Sequence, residues 1–306
     1  MERPTINLDS VDTYNKLYGL HTHHPLVTVI DLKDATRAVN HVTINYGVYA
    51  IFLKNGAGCT VRYGRRSYDY QDGTVVSFSP GQTVEVDMER DEVAPDVIGL
   101  MFHPDLVYGT PLADKIKTFS FFDYTEMESL HLSETERAQF MHCLEQIRHE
   151  MEHPVDHHTA ALLSATIQLL VEYLHRFYDR QFITRHKANS EVVTAFQRQL
   201  KEYFSRPGEA RGLPAVSYFA AKANLSAGYF SDLVRKETGT SPKDIIALHV
   251  MAEAKHRLAT GTADISRIAY DLGFEYPAHF TRMFKRMTGL SPSAYRAGLA
   301  AVRASS

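Results

Sequence analysis

Apolar and polar positions change rhythm along the 306 residues. From Leu26 to His103 the apolar residues come in short runs, at 26–30, 48–53, 60–63, 74–78 and 97–102, rich in β-branched and aromatic side chains. Glycine and proline punctuate them at 55–58, 63–64, 71–73 and 79–82. Runs of this length between turn signals predict short strands closing a sandwich or small barrel. After about Tyr124 the period becomes helical. Ser133 with Glu136 three residues on is a capping-box pattern, which predicts a helix to about Glu152. Beyond Pro154, Leu162, Leu163, Ala165, Leu169, Leu170, Tyr173, Leu174 and Phe177 recur at helical spacing. These two helices either pack back on the strands or pair with the same helices of a second subunit. The polar, basic segment 183–189 breaks the pattern and is expected to be a linker. Asn189 or Ser190 then caps a helix to about Phe204, with Val192, Val193, Phe196, Leu200 and Tyr203 on its apolar face. A loop is expected at 206–214, and the rest is helical.

The C-terminal part repeats itself at an offset of 50. Residues 229–242 lie over 279–292 with identical Phe, Thr, Gly, Ser and Pro, and with Ser/Thr, Leu/Met, Arg/Lys and Lys/Arg exchanges. Upstream of each copy stands a short alanine-containing helix and a tight turn, 216–226 and 265–275. Helix, short turn, helix is the helix-turn-helix pattern. Asn224 and Gly273 suit the left-handed exit from the first helix. Leu225 and Phe274 suit the angle between the two helices, and Ser226 suits a cap. With Phe230, Leu233, Val234, Phe280, Met283 and Phe284 inward, positions 228, 231, 232, 235, 278, 281, 282 and 285 face outward. Arg235, Lys236, Lys285 and Arg286 stand where they can meet phosphates. Between the copies, about 242–259 forms one helix ~27 Å long. That separation approaches the ~34 Å of one DNA turn. A duplicated helical domain that binds protein is the competing reading.

Charge supports the first reading. Residues 188–306 carry 16 Lys and Arg against 10 Asp and Glu, whereas 1–187 carry 17 against 26. A basic C-terminal part on an acidic body points to an anionic partner, nucleic acid first. The composition, 44% apolar and 23% charged, is that of a soluble globular chain. No apolar run approaches the ~20 residues of a membrane helix. The opening Met1-Glu2-Arg3-Pro4 shows no signal-peptide pattern. Cys59 and Cys143 alone exclude a disulfide framework. A cytoplasmic protein without cofactor is expected.

Residues 189–306 resemble the DNA-binding domain of AraC/XylS-type transcription regulators. The resemblance rests on 226–231, on 236–242, on Ala254-Lys255, on 265–274 and above all on Phe280 with Arg282, Phe284-Lys285, Gly289, Ser291-Pro292 and Tyr295-Arg296. It implies seven helices with two recognition helices, about 227–237 and 277–287. Base-contacting positions map onto Gly228, Ser231 and Asp232, and onto Pro277, Ala278, Thr281 and Arg282. Asp232 stands where the family often has Arg or another polar donor. It can accept from cytosine N4, and Arg282 can read guanine. The N-terminal part resembles the cupin-like sensor domain of such regulators, with Pro80-Gly81 after a strand. The expected fold class is therefore α+β and multidomain: a cupin-like barrel or sandwich at 1–125, a helical dimerisation or linker segment at 126–188, and an all-α tandem helix-turn-helix domain at 189–306. Expected partners are double-stranded promoter DNA, a second copy of the chain, a small-molecule effector if the sensor takes one, and RNA polymerase if the protein activates.

The alternative is a cupin-type metal-dependent enzyme with a helical appendage. His21, His23 and His24 invite it, but no Glu follows at the expected distance, and surface or pocket histidines are the plainer reading. His157-His158 reads the same way. The cysteines read as small buried apolar residues. Effector contacts, if present, are expected from His24, Tyr46, Tyr49, Arg62 and Tyr68 inside the barrel, where an Arg among tyrosines can receive a carboxylate or sugar. The segment 176–185 reads either as a joint between domains or as the cationic end of a helix.

Overall fold

The computed structural model describes residues 3–55, 61–62, 73–86, 96–125, 128–204, 212–260 and 263–304, and at 61, 62, 186, 187 and 299–304 the backbone alone. The chain folds as two compact units, Met1–Thr184 and Arg185–Ser306.

The first unit holds two sheets. One has the order β1 (Thr5–Leu8), β3 (Val42–Tyr46), β7 (Thr83–Val86), β5 (Val61–Arg62). The other has the order β2 (Val27–Asp31), β8 (Val97–Phe102), β4 (Tyr49–Lys54), β6 (Thr74–Phe78), β9 (Leu130–His131). Among the described strands only β1 and β3 run parallel; the other pairs are antiparallel. Alternate side chains of both sheets, among them Ile44, Val84, Ile30, Ala50, Phe52, Val76 and Met101, share one buried core. The helix α1 (Val11–Tyr18) closes that core with Val11, Tyr14 and Tyr18.

Every described side chain of β6 and β8 is buried. The face of the five-stranded sheet turned away from the sandwich core is therefore covered as well. This is why 74–78 and 97–102 read as continuous apolar runs instead of alternating ones. The sequence pattern does not mark the short strands β1, β3, β7 and β9, nor α1. They are brief, or like β3 and β7 half polar, with partly or fully exposed residues alternating with buried ones.

The short helix α2 (Leu112–Lys115) and the long helices α3 (Glu134–Glu152) and α4 (Thr159–Thr184) belong to this unit. Ser133 Oγ accepts from Glu136 N–H and the Glu136 carboxylate accepts from Ser133 N–H, the capping box read from the sequence. Arg180 of α4 donates to both Glu136 oxygens, at 3.0 and 2.6 Å, and to the His131 carbonyl at 2.7 Å. Gln181, buried, accepts from His131 N–H and donates to the Ser129 carbonyl, so it pairs with β9 as a strand would. Tyr178 stacks on Phe121 at 5.4 Å. The segment 176–184 thus has its own packing role within the first unit.

The second unit is helical throughout its described residues: α5 (His186–Phe204), α6 (Val216–Lys222), α7 (Ala227–Thr238), α8 (Pro242–Thr260), α9 (Ile265–Asp271), α10 (Pro277–Thr288) and α11 (Pro292–Ala304). The linker expected at 183–189 is helical apart from Arg185. Lys187 and Ala188 are good helix formers, and Asn189 is buried, its N–H bonded to the Arg185 carbonyl at 3.0 Å. Asn189 and Ser190 accordingly lie inside α5, past its first turn's start at His186, instead of at its N-cap.

Candidate nucleic-acid interface

Two copies of one local design build the surface. In the first, the chain turns out of α6 at Asn224, whose φ of 57° is left-handed, as a non-glycine residue there is often Asn. Leu225 N–H then returns to the Ala220 carbonyl at 2.9 Å, and Ser226 Oγ caps α7 by accepting from Tyr229 N–H at 3.1 Å. In the second, Gly273 takes φ 90° and Phe274 N–H returns to the Ala269 carbonyl at 3.0 Å. No side chain caps α10; Pro277 opens it instead, a position where the missing N–H costs nothing.

The five identities of the repeat all have structural jobs. Phe230 and Phe280 are fully buried. Thr238 and Thr288 place their hydroxyls 2.8 Å from the Val234 and Phe284 carbonyls, one turn back. Gly239 and Gly289 are left-handed caps. Ser241 caps α8 and Ser291 caps α11. Pro242 and Pro292 are the first residues of those helices.

The inward positions hold with two adjustments. Phe230, Leu233, Val234, Phe280, Phe284 and Phe274 are buried, but Leu225 and Met283 are only half-buried.

The outward faces differ in chemistry. On α7, Gly228 has no side chain, Ser231 donates its hydroxyl to the Ala227 carbonyl at 2.7 Å, and Asp232 lies 3.7 Å from Arg235. Arg235 and Lys236 are exposed. On α10, Ala278, Arg282, Lys285 and Arg286 are exposed, with Pro277 and Thr281 half-buried beside them. Two further residues stand at the head of this helix: Tyr276, 54% exposed, and His279, exposed, their rings 5.4 Å apart and edge to face. Alignment of the copies hides His279, because it lies over Tyr229, which is buried. A helix bearing one imidazole, two guanidiniums and one ammonium on its open side offers donors to base edges and phosphates.

A family model described as a helix-turn-helix domain matches residues 219–298. The C-terminal unit carries a helix-turn-helix domain. The raffinose operon transcriptional regulatory protein RafR of Pediococcus pentosaceus is 36% identical over 73 residues, 24% of this chain and 26% of that protein. The arabinose operon regulatory protein of Escherichia coli strain K12 is 35% identical over 83 residues, 27% of this chain and 28% of that protein. The C-terminal domain of the two-component response regulator yesN from Fusobacterium nucleatum is 28% identical over 34% of this chain and 95% of that one, with a TM-score of 0.31. The chain spans about a quarter of the length of the two curated relatives.

Outside the helix-turn-helix domain, the effector candidates among the described residues have separate surroundings. Tyr46 is buried in the sandwich core, stacked on Phe78 at 4.8 Å. Tyr49 packs on Phe102 and Phe122, and burial with Tyr108 and Asp123 nearby pushes its hydroxyl pKa up. His24 is buried, its Nδ1 accepting from Leu26 N–H at 3.1 Å, and burial holds it towards the neutral form. Tyr68 and the side chain of Arg62 lie outside the described residues, as does Cys59. A cavity of about 370 Å³ lies elsewhere in the first unit, between Asn15, His21, His23, Asp31, Arg148 and Glu152. His21 and His23 face each other at 4.5 Å. Among the described residues no three His, Cys, Asp or Glu side chains are grouped to hold a metal, and no helix is long and apolar enough to cross a membrane. Cys143 is buried in α3, which raises its thiol pKa.

Proposed function

We propose that the chain is an AraC/XylS-type, sequence-specific DNA-binding transcription regulator of the cytoplasm, not an enzyme. The observation that carries this is the doubled helix-turn-helix with a cationic, solvent-facing side on α10. In this reading α7 and α10 enter successive major-groove segments. Arg282 reads a base edge, with Ala278, Thr281 and Pro277 against the groove floor. Lys285, Arg286, Arg235 and Lys236 meet phosphates. Gly228, Ser231 and Asp232 face the DNA on α7 with little to donate, so α10 is the main reader. The two curated relatives are named for a raffinose and an arabinose operon, and the match to them is confined to about a quarter of their length.

The first unit, in this proposal, is a cupin-like sensor: 1–125 is the β domain and 126–188 the helical segment, whose last residues open α5 of the second unit, with 189–306 the DNA-binding domain. A small-molecule effector would act there. Dimerisation through α4 is supported by Leu162 and Leu169, which are 52% and 44% exposed on its outer side. RNA polymerase is a partner if the protein activates.

The test is selection of bound fragments from genomic DNA by the purified full-length protein at physiological salt. Enrichment of a site with two half-elements about one helical turn apart is expected, with binding lost steeply as salt rises. Fragments retained without any shared element would leave only a non-specific polycation and overturn the reading.

A further inference from the structure

A single helix fixes the distance between two domains that it joins, but not their rotation about its ends. The 19 residues of α8 set the separation of the two helix-turn-helix copies in this way. What sets the angle lies near the C-terminal end of α8. Arg257 is largely buried, its side chain 17% exposed. Its Nε donates to Glu253 Oε1 at 2.7 Å, one turn back on the same helix. With the guanidinium plane held so, Nη1 donates to the Asp271 carbonyl at 3.3 Å and Nη2 to the Phe204 carbonyl at 3.4 Å. Asp271 is the last residue of α9 and Phe204 the last of α5. The final carbonyls of a helix lack partners within it and carry its partial negative charge, so one planar cation with a fork of donors suits two of them at once.

Those two helices belong to different copies. α5 supports the first: Phe196 packs edge-on against Phe219 and Phe230, at 4.9 and 5.3 Å. α9 is the leading helix of the second. A further tie lands two residues on from Asp271. Tyr203 of α5 donates its hydroxyl to the Gly212 carbonyl at 2.9 Å. The Gly212 backbone in turn lies against Gly273, where a Cβ would overlap it. The α9–α10 turn is thus pinned to the scaffold of the first copy from two directions.

We propose that Arg257, seconded by the Tyr203–Gly212–Gly273 contact, is a positioning clamp that fixes the orientation of α10 relative to α7 and so the half-element spacing the protein accepts. This rests on the DNA-binding reading above. Arg257 touches no DNA in this scheme, and its loss changes which spacing is tolerated before it changes which bases are read.

The experiment uses the full chain and three duplexes: the selected site, and the same site with two base pairs added or removed between the half-elements. Each change shifts one half-element by about 7 Å and turns it by about 70°. The unaltered protein is expected to lose about tenfold or more in affinity on both altered duplexes, and Arg257→Met to lose less than about threefold while keeping its preference for the bases within each half-element. Tyr203→Phe, which removes one hydroxyl, tests the second tie and keeps the question open to measurement if Arg257→Met does not fold; it is expected to narrow the same discrimination. Either folded variant with discrimination equal to that of the unaltered protein overturns the clamp as drawn. So does an unaltered protein that accepts all three duplexes alike. An unaltered protein that binds none of them overturns the DNA-binding reading instead.

Discussion

Asp232 and Arg235 stand 3.7 Å apart, carboxylate to guanidinium, on the outward side of α7. The pair lies where the first copy would approach DNA, so the cation most useful for phosphate contact has an anion beside it. Asp232→Asn removes that anion without changing shape. Affinity for duplexes of any sequence is expected to rise about three- to tenfold at low salt, with the dependence on log salt steepened by up to one unit. Fluorescence anisotropy across a salt series measures both. A loss confined to sites with one particular cytosine would instead make Asp232 a reader of that base.

Arg282 carries the complementary prediction. It is exposed on α10, one turn after His279 and one turn before Lys285 and Arg286. Arg282→Ala is expected to cost ~1–3 kcal/mol on the selected site and to relax the preference at one base pair. Lys285→Ala is expected to weaken all sequences equally. Binding measured on a panel of single-base variants separates the two. Equal weakening across the panel for Arg282→Ala would move it to the phosphate contacts.

The sequence was most legible where local rules act alone. The capping box at Ser133, the left-handed turns at Asn224 and Gly273 and the helix start around Pro242 follow from nearest neighbours, and the structure has them there. The repeat was readable for the same reason: its identical residues are caps, turns and core, whose demands are set by the helix-turn-helix geometry itself. What distinguishes the copies lies at outward positions under no such constraint, so alignment pointed past His279. Alternation alone does not say which side of a strand holds a cavity and which a packed core, so it does not place Tyr46, which is buried in the sandwich core. The helix through 186–189 was missed because polar residues near a helix start look like a linker until burial of Asn189 is known.

The two turn residues offer a test of packing. Phe274 is buried, its ring 5.4 Å from Phe280, whereas Leu225 is only half-buried. They occupy equivalent places, yet they are not equivalent in energy. Phe274→Ala is expected to destabilise the C-terminal unit by ~3–5 kcal/mol, and Leu225→Ala by about 1–2 kcal/mol, because less apolar contact is lost. Phe274→Asp, which buries an unpaired charge, is expected to unfold the second copy. Urea denaturation of the three variants ranks them. Equal losses for the two alanine variants would contradict the difference in burial.

A pH dependence follows from His249, which sits on α8 half-buried, its ring 5.5 Å from that of Phe204. Burial lowers its pKa from the ordinary 6.5; Glu253 opposes this and Lys201 adds to it. The Glu253–Arg257 pair and His256 line the same groove of about 520 Å³. A histidine whose folded pKa is depressed is held neutral in the folded state and takes up its proton more readily when unfolded. Its contribution to stability is therefore complete above pH 6.5 and is lost as pH falls below that value towards the folded pKa. Denaturation midpoints of the C-terminal transition are expected to fall between pH 7.5 and about 5.5. His249→Gln, which cannot charge, is expected to flatten that slope, leaving the carboxylate-driven loss at lower pH in place. An unchanged slope in the variant would assign the dependence to another group. Because His249 lies beside the anion that orients Arg257, the same titration should also loosen the spacing discrimination in acid, and the spacing assay repeated at pH 6 with His249→Gln as control separates that coupling from a general loss of stability.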